Sequence, residues 1–113
     1  KVARIPDGAT IVDLEKDSLG VLVLLRKDGT GLYGVKDLAL ARTKFNDFKI
    51  DRSVYVIGAA QKRYFYQICR ILELSGFKDS RKMVYVPVTE VRFPWGKMSS
   101  RSGENLLYSD FKE

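Results

Sequence analysis

The run Phe93-Pro94-Trp95-Gly96-Lys97-Met98-Ser99-Ser100-Arg101-Ser102-Gly103-Glu104 packs two cations, three hydroxyls and two glycines into one short stretch. Glycines let the backbone bend where other residues would strain. Successive N–H groups in such a bend can form an anion-binding nest. Lys97 and Arg101 supply the positive charge that phosphate needs. The chemistry this combination suits is phosphate handling by a loop. A solvated basic surface loop would have the same composition, so the residues alone leave both readings open.

Such a loop needs elements to hold it, and the chain supplies them in order. Asp7-Gly8-Ala9-Thr10 reads as a turn before a strand at Ile11–Leu14, and Val21–Leu25 is a second β-rich run. Joined by a polar segment, the two predict a hairpin. Asp28-Gly29 marks a tight turn. From Val35 to Asn46 the spacing of Leu38, Ala41 and Phe45 predicts a helix, with Asp37 in its first turn, where a carboxylate suits the helix dipole. Ser53–Ile57 reads as a buried strand ending at Gly58. Ala59–Leu74 follows as the strongest helix, its apolar side being Phe65, Ile68, Cys69, Leu72 and Leu74, with Gly76 as its stop. Met83–Val88 is a further strand, with Pro87 at an edge or bulge. Val91-Arg92-Phe93 continues it after a kink, and another element starts near Leu106, opened as a helix by Ser109-Asp110. Strand, helix, strand, helix, strand predicts an α/β layer with a parallel sheet, in a single domain spanning residues 1–113. Ligands of such sheets sit beyond the carboxyl ends of the strands. Tyr33–Asp37, Gly58–Gln61 and Lys97–Arg101 fall at such ends.

Composition narrows the chemistry. The chain has 113 residues, is 45% hydrophobic and carries a net charge of +6, which favours an anionic partner such as a nucleotide or RNA. It contains no histidine, which excludes histidine acid–base catalysis, Ser-His-Asp triads and histidine-ligated metals within these residues. Its one cysteine, Cys69, excludes an internal disulfide, fits a reducing compartment and reads as a core thiol. No apolar run is long enough to span a membrane, and no secretory segment precedes Pro6-Asp7-Gly8. A first residue other than Met marks the chain as an expected piece of something longer.

Three stretches, taken together, resemble one family. Lys97-Met98-Ser99-Ser100-Arg101-Ser102-Gly103 resembles the KMSKS loop of class I aminoacyl-tRNA synthetases, in the form found in the arginyl enzymes. Asp28-Gly29-Thr30-Gly31-Leu32-Tyr33-Gly34-Val35-Lys36-Asp37-Leu38-Ala39-Leu40-Ala41 resembles the arginyl stretch DGTxLYxTRDLALA, with Val35-Lys36 where Thr-Arg is common. Val54 to Gln61 resembles the next segment, a strand followed by a Gly and a Gln. There Ala60 stands where an acidic residue is usual, and Tyr64 where a histidine often follows.

The resemblance implies a Rossmann-like parallel-sheet half-domain with an N-terminal β-hairpin-like segment. It implies the C-terminal part of a catalytic domain, with the two-histidine HIGH motif, the N-terminal half and the anticodon-binding domain lying outside these residues. By resemblance, Tyr33 and Asp37 bind the substrate guanidinium and Gln61 meets the α-amino end of arginine. A carboxylate suits a guanidinium fork through two parallel hydrogen bonds. Gly58 lets the ATP ribose approach, Lys97 neutralises triphosphate charge, the Met98 backbone lies near adenine, and Arg101 adds charge. Ser99 and Ser100 join Lys97 as the catalytic loop, Ser100 standing where many class I enzymes carry a second lysine. ATP with its Mg2+, arginine and tRNA(Arg) are the implied partners, with no metal site built from protein and a cytoplasmic setting. Other readings of the same residues remain. Asp37 is also a plausible helix cap, Tyr33 a core-edge residue and Gln61 a polar residue of a first turn. The whole chain also suits a stand-alone module that binds nucleotide or RNA, or a class I synthetase of another specificity.

Overall fold

A computed structural model describes residues 7–89, the backbone of residues 2–4, and Lys112. The expected phosphate-handling loop, Lys97 to Arg101, lies outside the described residues. So do the expected strand extension at Val91–Phe93 and the element after Leu106.

The described elements are β1 (Val2–Arg4), β2 (Thr10–Leu14), β3 (Gly20–Leu25), α1 (Tyr33–Asn46), β4 (Ser53–Gly58), α2 (Lys62–Leu74) and β5 (Met83–Val88), with short 3-10 turns at Glu15–Asp17, Ala59–Gln61 and Lys78–Lys82. β2 and β3 form the expected antiparallel hairpin. β1 adds a third strand on the far side of β2, an element too short to show in the apolar pattern. β4 and β5 pair in parallel from Ser53 opposite Met83 to Gly58 opposite Val88, with α2 as their connection.

The fold is α/β, as expected, but its strands divide between two sheets. β3 is hydrogen-bonded to β2 rather than to β4, so the parallel sheet among the described residues is the β4–β5 pair. Apolar runs mark strands without marking their partners, and a short connection favours the local antiparallel mate.

The core lies between the helices and the parallel pair. Ala41 and Phe45 of α1, Phe65, Ile68 and Leu72 of α2, and Met83 of β5 form its buried cluster. Tyr85 stacks on Phe65 with ring centroids 5.4 Å apart, and Tyr55 meets Phe65 at a tilt with centroids 5.2 Å apart. Leu74, expected on the apolar side of α2, is instead exposed, while Gln67 is buried. Two residues beyond Leu72 is the wrong helical spacing for a shared face. Gln67 turns inward because its Nε2 donates to the Leu19 carbonyl at 2.7 Å.

Candidate functional site

The site begins at the turn before α1. Asp28 Oδ1 accepts from the Thr30 backbone N–H at 2.9 Å and from Thr30 Oγ1 at 2.6 Å. These bonds, the hydroxyl's first, hold the Asp28 carboxyl below its ordinary range. Gly29 takes a φ of +82°, which a side chain would oppose. The turn delivers the chain to Leu32, whose N–H donates to the Leu24 carbonyl at 2.8 Å, and α1 starts there. Gly34 then lets the helix seat closely: a Cβ added there would lie 3.2 Å from Leu24 Cδ2. The Asp-Gly-Thr stretch and Gly34 thus fix how α1, and with it Asp37, faces the rest of the fold.

The helix starts two residues earlier than the periodicity predicts, which moves Asp37 out of its first turn. Leu32 is the N-cap, no side chain caps it, and the first turn contains no acidic residue. The expectation of Asp37 in the first turn is corrected, and the helix-cap reading falls with it. Its carboxylate is instead engaged by α2: Tyr64 Oη donates to Asp37 Oδ2 at 2.5 Å. Burial first, and this bond second, push the Tyr64 phenol far above its ordinary pKa, so it remains a donor.

Asp37, Tyr55, Ile57, Gln61, Tyr64, Phe65 and Ile68 line a cavity of about 200 Å³. It therefore unites residues from α1, β4, α2 and the turn between the last two, at the carboxyl end of β4. Its wall is largely apolar, with Asp37, Gln61 and the phenols as its polar groups. An apolar pocket with a few convergent polar groups is the usual form of a small-molecule site. The one carboxylate in it suits a cationic group that only donates hydrogen bonds.

Of the other expected residues, Tyr33 and Gly58 are not part of that lining. Tyr33, one turn before Asp37, is 82% exposed, which ends the core-edge reading. Gly58 closes β4, and its carbonyl accepts from Tyr85 Oη at 3.3 Å. Its backbone, at φ −57° and ψ 143°, suits any residue, but the space beside it is open among the described residues. Gln61 precedes α2 and makes no capping hydrogen bond with its side chain. Lys97, Met98, Ser99, Ser100 and Arg101 are beyond the described residues. Sequence reasoning missed Tyr64 as the partner of Asp37. The only signal was a ring with a polar atom three residues after Gln61, and nothing local couples two helices 27 residues apart.

Two larger clefts, of about 370 Å³ and 390 Å³, flank α2 elsewhere. Ion pairs run along them: Arg70 pairs with Asp17 at 3.0 Å and with Glu73 at 2.7 Å, and Arg81 reaches Glu73 at 3.5 Å. Among the described residues no three Cys, Asp or Glu side chains converge as a metal site.

Comparison with known proteins gives this geometry a context. Residues 1–111 match the family model described as tRNA synthetases class I (R), catalytic domain, and the chain belongs to that family. Its relatives narrow the class. An arginine–tRNA ligase of Bdellovibrio bacteriovorus is 47% identical over 96 residues, which cover 85% of this chain and 17% of that protein. An arginine–tRNA ligase of Porphyromonas gingivalis is 39% identical over 97 residues, covering 86% and 16%. The chain thus spans about a sixth of the length of these relatives. A crystal structure assigned to an arginyl-tRNA synthetase of Campylobacter jejuni shares the fold, with a TM-score of 0.66 at 20% identity over 80% of this chain and 20% of that one.

Proposed function

We propose that these residues form the arginine-binding side of a catalytic domain that activates arginine with ATP and transfers it to tRNA(Arg). The observation that carries this is the Asp37 carboxylate in a largely apolar cavity beside Gln61. Tyr64 uses one lone pair of Oδ2. A carboxylate has about four such acceptor sites, so acceptors remain for a guanidinium fork. Gln61 is assigned to the α-amino end of the substrate, and Tyr33, on the same helix, to its guanidinium end.

ATP is assigned to the space beside Gly58 and to the loop of Lys97, Met98, Ser99, Ser100 and Arg101. Lys97 would offset charge on the phosphates as the adenylate forms, since phosphoryl and nucleotidyl transfer depend on positioning and charge stabilisation. Mg2+ would enter with the ATP phosphates. A cytoplasmic setting belongs to this reading, and the lone cysteine fits its reducing conditions.

Asp37→Asn in the full-length polypeptide tests the assignment. The substitution keeps the shape, removes the charge and turns an amide donor toward a group that has only donors. The expected loss is about 2–5 kcal/mol in kcat/KM for arginine, as for breaking one side of a buried charge pair. The melting temperature should hardly move, since Tyr64 can still donate to the amide oxygen. Unaltered arginine kinetics would reduce Asp37 to scaffold.

A further inference from the structure

The position of Tyr64 departs from the histidine that often follows the Gln in this family, and the cavity gives the departure a use. We propose that Tyr64 is a positioning residue: it holds the Asp37 carboxylate in one orientation and presents the free oxygen to the substrate guanidinium. The inference rests on the arginine reading above.

Three observations meet in it. Tyr64 Oη donates to Asp37 Oδ2 from a different helix, so the bond ties α2 to α1 across the cavity. Both residues line that cavity together with Gln61. Tyr64 packs, partly buried, against the core cluster, which limits where its oxygen can stand. An unheld aspartate can rotate about its terminal torsion, and a bidentate ligand must freeze that rotation when it binds. A hydroxyl clamped to one oxygen removes the motion beforehand. The phenol also stays protonated, its pKa raised by burial and by Asp37, so it does not become an anion that competes with the carboxylate for the cation. A histidine in its place would titrate near neutral pH.

The test uses the full-length polypeptide in arginine-dependent pyrophosphate exchange with tRNA present, comparing Tyr64→Phe, Asp37→Asn and the double variant. Tyr64→Phe keeps the ring and should raise KM for arginine about tenfold, the scale of one hydrogen bond to a charged group. KM for ATP and the melting temperature should stay near those of the unsubstituted protein. In the Asp37→Asn background the same substitution should add almost nothing to KM, because Tyr64 then holds an amide with no charge to present to the guanidinium. Tyr64→His, which restores a ring donor, should give an arginine KM between that of the unsubstituted protein and that of Tyr64→Phe.

An unchanged arginine KM in Tyr64→Phe would overturn the positioning role while leaving the arginine reading intact. A lowered KM would overturn it too, since it would mean that the phenol competes with the substrate. Additive effects in the double variant, with a lowered melting temperature, would make Tyr64 a packing residue. An unsubstituted protein without arginine dependence would overturn both the arginine reading and the role of Tyr64.

Discussion

Cys69 shows how burial alone sets reactivity. It packs against the core cluster from α2, and burial pushes its thiol from an ordinary 9.0 up to about 11. The thiolate is the nucleophile, so the folded protein should be slow to alkylate at pH 8 and should react faster as denaturant opens it. Labelling with iodoacetamide checks this, and a folded-state rate equal to that of free cysteine would contradict it. The linkage has a definite sign. The native state holds the thiol proton more tightly than the unfolded chain does. The associated stability is therefore complete below about pH 9 and is lost as pH rises through about 11. Asp37 is a different kind of residue, a half-buried polar group engaged by a partner. The hydroxyl of Tyr64 reaches it across 27 positions of chain, so its engagement was not readable from local spacing.

At the scale of elements, the junction of the hairpin with α2 holds the two sheets together. The Leu19 carbonyl accepts from Gln67 Nε2 at 2.7 Å and from Arg63 Nε at 3.0 Å. Gly20 follows at φ +70°, and a Cβ there would come within 2.1 Å of Arg63 Nη2. Gln67→Leu should cost about 1 kcal/mol, since the carbonyl keeps its second donor, and denaturant unfolding would show it. No loss at all would mean that the buried amide contributes nothing. The same junction marks the reach of sequence reasoning. The spacing of Phe65, Ile68 and Leu72 announced α2, and Asp28-Gly29 announced its turn, because helix periodicity and turn chemistry are local. The inward side chain of Gln67, the outward one of Leu74 and the pairing of β3 with β2 depend on contacts distant in sequence. Of the candidate site, Asp37 and Gln61 were legible through family resemblance and share the cavity, while Tyr33 stands outside it.

Across the molecule, the two faces of the parallel pair differ. Tyr55, Ile57 and Tyr85 pack toward α2 and the core. Val54, Val56, Val86 and Val88 are exposed on the other face, Val56 at 61%. Parallel sheets are normally covered on both faces, so this sheet has the character of one layer in a larger domain. That agrees with relatives about six times as long as the matched segment. The account of the cavity therefore has to be tested in the whole polypeptide. The most direct measurement is amino-acid-dependent exchange of pyrophosphate into ATP, with tRNA present, across arginine, lysine, glutamine and methionine. Arginine alone should support exchange, because the Asp37 cavity suits a planar cation that donates a fork of hydrogen bonds and a lysine ammonium does not match that geometry. Equal exchange with lysine or with the uncharged amino acids, or none with arginine, would contradict the guanidinium site at Asp37.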